Sequence, residues 1–302
     1  MHVIFTASSL KNLILSKVIS ILFKLRPTAI ATYLNKNGDR LLPLFFKHIS
    51  SYSVSQILQR LLVPADNDSN KFNGENIDLP ISTPTPKMYP WIDDDSTLNL
   101  LLQHTILSPT SDSNLKQLDE IAHCTEILIA LLQSSNSPLE RLIAPGIMSK
   151  ILSTFKEIPE SFTPNESHLT HVLHLLEAML LQLGGFGMHN HPTKEIKLTI
   201  LPFVPQIIES LRNVLYHPAT KTWKLESQMK YDIPQVGIPR LRGIRVLEAL
   251  VLLGEEEIDE ILLSNENGAG DIIGLSCDLL WEMEWCSGLH QSIANMIVHG
   301  EI

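Results

Sequence analysis

Apolar residues recur along this chain at intervals of three and four, the spacing that gathers them on one side of an α-helix. Leu10, Leu13, Ile14, Val18, Ile21, Leu22 and Leu25 make the first stripe. Pro27 is suited to open a second, short helix, which Asn37-Gly38 is expected to end, because glycine accepts a left-handed C-terminal turn. Leu41, Leu42, Phe45 and Ile49 predict a third helix. Val54, Ile57, Leu58, Leu61 and Leu62 predict a fourth, with Ser53 and Gln56 spaced as a capping box. The pattern then breaks. From Asp66 to Pro90 the residues are mostly Asn, Asp, Ser, Thr and Pro, and Pro80, Pro84, Pro86 and Pro90 preclude a continuous helix. Order restarts at Trp91, and Asp93, Asp94 and Asp95 supply the negative charge that a helix N-terminus favours. The periodicity predicts further helices over about 96–107, 115–133, 146–155, 166–183, 202–215, 240–253, 256–264, 269–284 and 287–298. No segment alternates apolar and polar residues well enough to predict a strand.

A faint internal repetition suggests how these helices are arranged. Leu142-Ile143 leads through Pro145-Gly146 to Ile147, Ile151 and Leu152, and Leu262-Leu263 leads through Asn267-Gly268 to Ile272, Ile273 and Leu279. Leu34, Gly38 and Leu41-Leu42 follow the same order of helix, glycine turn and helix. Armadillo- and HEAT-type units are built this way, so the fold class expected is all-α, an irregular armadillo/HEAT-like helical repeat forming an α-solenoid. The expected division is N-terminal repeats over 1–65, a loop or linker over 66–90, and continuing repeats over 91–302.

Composition agrees with helix-on-helix packing. Of 302 residues, 44% are hydrophobic but only 6% aromatic, and strand-rich domains lean on aromatic and β-branched residues. The formal charge is −10 and no block of lysines and arginines is present, which argues against nucleic acid and against anionic membrane surfaces as partners. The stripe from Leu13 to Leu25 is interrupted by Lys17 and Lys24, whereas a bilayer span needs about 20 predominantly apolar residues. It also lacks the charge order of a signal peptide, since Arg26-Pro27 follows where small residues would stand. Three cysteines, Cys124, Cys277 and Cys286, form no CxxC and sit in apolar helical contexts, so buried reduced thiols in a cytoplasmic or also nuclear compartment are expected.

Catalytic chemistry finds little support. His168, His171 and His174 lie at i, i+3 and i+6, with His189 and His191 in a glycine-rich loop, but position i+6 is rotated well around the helix and no cysteine is near. Interfacial histidines are the plainer reading. Gly184-Gly185-Phe186-Gly187 follows a helix rather than a strand and lacks a Gly-Lys-Ser/Thr completion, so it reads as a connection between helices and not a phosphate loop. No GxSxG or HExxH motif occurs. No catalytic residue, metal site or cofactor is therefore expected, and a metal-dependent hydrolase centred on His168, His171 and His189 is the weakest reading. Thr83-Pro84 and Thr85-Pro86 are candidate proline-directed phosphorylation sites.

Two clusters are candidates for partner binding. Arg240, Arg242 and Arg245 open an apolar helix in an otherwise acidic chain, although cations at a helix N-terminus oppose the macrodipole. Arg242 and Arg245 are neighbours at i, i+3, while Arg240 points elsewhere. They either pair internally with acids such as Glu255, Glu256 and Glu257 or present guanidinium forks to an acidic partner surface. Trp281 and Trp285 share a helical face, with His290 opening the last helix. Core packing between adjacent units is the first reading of that cluster, and an interaction hot spot is the second.

Three ordered blocks resemble the SAPS family, the regulatory subunits of protein phosphatase 6. The first runs from Ser16-Lys17-Val18-Ile19-Ser20-Ile21-Leu22 through Arg26-Pro27 to Phe46-Lys47-His48-Ile49 and Leu58–Leu62. The second is Trp91-Ile92 with its acidic neighbours. The third takes in Lys221-Thr222-Trp223, Val236-Gly237, Arg240-Leu241, Arg245, Trp285 and Leu289-His290. Cys286-Ser287 stands where the family has an asparagine pair, and Ser50-Ser51-Tyr52 replaces its Gly-Thr-Ser. Family members usually carry sequence before the first block and an acidic tail after the last, so a shortened or reduced member is expected. The resemblance implies a non-catalytic scaffold that binds the catalytic subunit of a PP2A-like serine/threonine phosphatase and directs its substrate choice or location, with links to the cell cycle. The alternative is a generic armadillo-like adaptor with an unrelated partner.

Overall fold

The computed structural model describes residues 17–18, 21–22, 25–63, 95–106, 115–134, 137–156, 158, 162–163, 167–186, 194–226, 232–263, 272–283 and 286–299. Leu10, Leu13, Ile14, segment 66–90 with Thr83 and Thr85, Trp91, His189, His191, Asn267-Gly268 and Trp285 lie outside the described residues. The described residues are almost wholly helical, and the chain is an all-α helical-repeat protein. It divides into two compact units, Met1–Ser137 and Pro138–Ile302.

The first unit contains α1 (Pro27–Lys47), α2 (Tyr52–Leu62), α3 (Asp95–Ile106) and α4 (Leu115–Leu132). α4 packs on both α3 and α2, and α2 packs on α1. Ile49, Leu58, Leu101, Ile121 and Leu128 fill this core. Polar ties reinforce it: His123 Nδ1 lies 2.8 Å from the Ile49 carbonyl, and the His104 ring stacks on Phe46 with centroids 5.4 Å apart.

Two expectations for this unit fail. Helix α1 does not stop at Gly38 but runs on to Lys47, with Gly38 buried and Pro43 inside the helix. Tertiary packing of the flanking apolar residues outweighs the glycine's propensity to terminate, which is worth only about 1 kcal/mol. Helix α2 begins at Tyr52, which puts Ser53 inside the first turn, and Gln56 donates to Gln59 Oε1 instead of closing a capping box.

The second unit is three consecutive helical triplets. The first is α5 (Leu139–Leu142), α6 (Pro145–Ser153) and α7 (Ser167–Leu183). The second is α8 (Lys194–Leu198) with a 3-10 turn at Leu201–Phe203, then α9 (Val204–Leu215) and α10 (Ile238–Val251). The third is α11 (Glu256–Leu263), α12 (Ile272–Glu282) and α13 (Ser287–His299). The third helices stack: α10 packs on α7 before it and on α13 after it. The middle helices α6 and α9 also pack on each other. Packing of each unit on its neighbours is what makes an array of this kind a repeat.

Glycine does not turn the chain at Gly38 or Gly146, but it does in the Gly184-Gly185 connection after α7. Between α5 and α6 the turn is made at Ile143 and Ala144, Pro145 takes the first helical position, and Gly146 is already helical. The left-handed glycines among the described residues are Gly185, Gly237 and Gly254. Gly254, with φ +63°, lies between α10 and α11, where a residue with a Cβ would be strained. A short antiparallel hairpin, β1 (Lys224–Glu226) with β2 (Asp232–Pro234), stands between α9 and α10 in register Leu225↔Ile233. It was not predicted, because three largely exposed residues per strand carry no readable alternation. Trp223, just before it, is core: its indole N–H donates to the Phe162 carbonyl at 3.2 Å and its ring meets the Phe162 ring.

Among the described residues, no helix is long and apolar enough to cross a membrane. Cys124 is buried, its thiol pushed up to about 12 by burial and secondarily by Glu120, whereas Cys277 and Cys286 are only partly buried.

Candidate functional site

Helix α10 carries all three arginines singled out in the sequence and divides them between two settings. Its entry is set by Gly237, whose φ of 77° and ψ of 152° belong to a region open essentially to glycine alone. Arg240, in the first turn, is only 3% exposed. Burial lowers its pKa, opposed by Tyr216 and Glu282, and its Nε meets no hydrogen-bond acceptor among the described residues. An arginine in that position supports packing and is withdrawn from any partner.

Arg242 and Arg245 instead face α7. Arg242 Nη1 donates to Glu177 Oε2 at 2.6 Å, a part-buried ion pair across the two helices. The acids expected to pair with the arginines are engaged elsewhere. Glu255 holds Lys197 at 2.9 Å, Lys194 lies 3.2 Å from Glu257, and Lys197 also donates to the Leu253 carbonyl at the end of α10. Internal pairing is therefore real for Arg242, with a partner that sequence proximity did not indicate.

The same face of α7 contributes His171 and His174. His174 is lowered to about 4, first by burial, then by Arg242, His171 and Arg245. His171 is lowered by burial, then by His168 and Arg242. Both rings are neutral at neutral pH, because protonation would place a further cation beside the arginines in a partly desolvated setting. His168 is buried. Among the described residues, no three His, Cys, Asp or Glu side chains gather as metal ligands would.

On its other side α10 meets α13 through polar groups. Asn295 Nδ2 donates to Glu248 Oε1 at 2.6 Å, and Gln291 Nε2 donates to Asn295 Oδ1 at 2.8 Å. A polar strip thus crosses the three stacked helices, from His171, His174 and Glu177 through Arg242, Arg245 and Glu248 to Asn295 and Gln291. Glu177, Glu248 and Asn295 were missed in the sequence, where each is an ordinary polar position on a helix. The partners are 65 and 47 residues away.

Of the second candidate cluster, the described members Trp281 and His290 sit in different settings. His290 Nε2 sits 3.0 Å from the Met283 carbonyl, tying the end of α12 to α13. Trp281 is 77% exposed, contrary to the core packing first expected of it. Trp285 lies outside the described residues.

Comparison with known proteins points one way. No family model and no solved structure matches the chain. Among curated proteins it is similar to serine/threonine-protein phosphatase 6 regulatory subunit 3 of Gallus gallus, 24% identical with 92% of this chain covered. It is likewise 24% identical, again over 92% of the chain, to regulatory subunits 3-B and 3-A of Xenopus laevis. The resemblance read from the sequence blocks is borne out. The matches take in 31% of the chicken protein and 32% of each frog protein, so the chain spans about a third of the length of these relatives.

Proposed function

We propose that this chain is a non-catalytic regulatory segment that binds the catalytic subunit of a PP2A-like serine/threonine phosphatase, of the protein phosphatase 6 type. The observation that carries this reading is the similarity of 92% of the chain to three proteins named as regulatory subunits of that phosphatase. The fold is compatible with it. Stacked helical repeats present long continuous surfaces to other proteins, and the face at α7 and α10 offers polar side chains. In this role the dephosphorylation chemistry resides in the partner, and this chain directs its substrate choice or location in cell-cycle-related signalling, in the cytoplasm or also the nucleus. Thr83 and Thr85, each followed by proline, are proposed as phosphoacceptors that regulate it; intact-mass measurement on protein from dividing cells checks this.

The test is reconstitution. The purified full chain, shown to be folded by circular dichroism and a cooperative melt, is mixed with purified protein phosphatase 6 catalytic subunit and run by size exclusion. Co-elution is expected. Separate elution, together with affinity purification from cells that recovers no PP2A-like catalytic subunit, would sink the reading and leave a general helical-repeat adaptor.

A further inference from the structure

Of the three arginines on α10, two are already spoken for. Arg240 is buried and Arg242 is paired with Glu177. Arg245 is different: it is partly exposed and makes no ion pair or hydrogen bond with any described residue. It is close enough to His174 to disfavour the cationic ring, an effect that follows those of burial, Arg242 and His171. The Glu177 carboxylate is engaged by Arg242 Nη1, and Glu248, one turn beyond Arg245 on α10, accepts from Asn295. Among the described residues the strip therefore holds a guanidinium without a counter-ion, beside the His174 imidazole, in a chain whose formal charge is −10.

We infer that Arg245 anchors an acidic segment of the partner, whose Asp or Glu carboxylate takes the guanidinium fork beside His174. Charge complementarity under partial desolvation supplies the attraction. A guanidinium is a planar fork of fixed donors suited to bidentate carboxylate binding, and it gains most where water is partly excluded. An acidic chain disfavours most acidic partners at long range, so an isolated cation within a polar strip fixes where such a segment can settle. The ion pair between Arg242 and Glu177 keeps α7 and α10 in register beneath it and is a positioning contact, not a docking one. The inference rests on the phosphatase reading for the identity of the partner, but not for the chemistry of the anchor.

The test uses the full 302-residue chain and two probes: purified protein phosphatase 6 catalytic subunit and a fluorescein-labelled acetyl-hexaglutamate peptide. Arg245→Glu is expected to weaken both interactions by about tenfold or more, and Arg245→Lys by less, with the melting temperature unchanged. Equal binding of the catalytic subunit by wild type and Arg245→Glu overturns the inference and leaves the phosphatase reading intact. If the wild-type chain ignores the catalytic subunit yet binds hexaglutamate in an Arg245-dependent way, the phosphatase reading fails and the anchor stands. Hexaglutamate binding that is indifferent to Arg245, or a phosphoserine peptide of equal length taking the site while hexaglutamate does not, overturns the carboxylate assignment.

Discussion

Arg242 and Glu177, 65 residues apart in sequence, meet at 2.6 Å and join the third helix of one triplet to the third helix of the next. Both side chains are partly buried, so removing one leaves the other desolvated without its partner. Arg242→Ala and Glu177→Ala are each expected to lower the unfolding free energy by about 2 kcal/mol. The double variant is expected to cost less than the sum, the signature of coupling. Urea melts of the four proteins measure it; strict additivity would mean that the pair contributes nothing of its own. Arg245→Glu, by contrast, is expected to leave the melt where it is.

His174 reports on the same region through its titration. Its folded pKa of about 4 lies below the ordinary 6.5, so between those values the unfolded chain binds more protons than the folded one. The stability from keeping this ring neutral is fully present above about pH 6.5 and is lost as pH falls toward 4. His171, shifted the same way, adds to the effect. Thermal melts at intervals across that window are expected to show a falling midpoint. Arg245→Ala should raise the His174 value, read from its imidazole proton shifts by NMR, because one of the repulsions on the cationic ring is gone; an unchanged value would place Arg245 away from the ring.

Two lysines near α11 look alike in sequence and differ in setting. Lys197 is largely buried between the Leu253 carbonyl and Glu255, closing the end of α10 where a cation complements the helix dipole. Lys194 reaches the same acids from solvent. Lys197→Met is expected to cost about 1–2 kcal/mol, read by denaturant unfolding. Lys194→Met should produce no measurable change, since exposed ion pairs contribute little.

Glycines 243 and 254 separate two roles that the one residue can serve. A Cβ at Gly243 would come 3.3 Å from Leu215 Cδ2, so α10 and α9 approach closely there. Gly243→Ala is expected to be near neutral, the gain in helix propensity of about 1 kcal/mol offsetting a small shift of the leucine. Gly243→Leu overfills the contact and should cost about 2 kcal/mol or more. At Gly254 nothing crowds a Cβ, yet φ is +63°, so Gly254→Ala should destabilise by about 1 kcal/mol through backbone strain alone. Paired thermal melts of the three variants decide between crowding and strain.

Periodicity made most helices legible because each buries an apolar stripe, and a stripe is a local property of the sequence. Gly38 and Gly146 misled for a reason on the same level: glycine permits a turn but does not demand one, and packing around Gly38 kept α1 whole. Gly254, which does turn the chain, stands directly after an apolar run and before three glutamates, a C-terminal signal that could have been read. The polar strip was legible only in part. The spacing of Arg242 and Arg245 put them on one face, but their surroundings depend on which helices stack. Nearby acids at 255–257 were nominated where Glu177 was the partner, because separation along the chain does not report distance between repeats. Trp281 marks the same limit, since helical spacing shows which side chains share a face but not whether that face is covered.

Helix α10 touches α7, α9, α11 and α13, so no neighbour can detach from it without exposing apolar surface on both. Ile244, Leu247 and Leu250 are fully buried along its length. Its amide protons should accordingly exchange with deuterium only when the whole second unit opens. α8, with no buried residue of its own, should exchange orders of magnitude sooner. The last peptide to take up label in that unit would then come from the helix that carries Arg245.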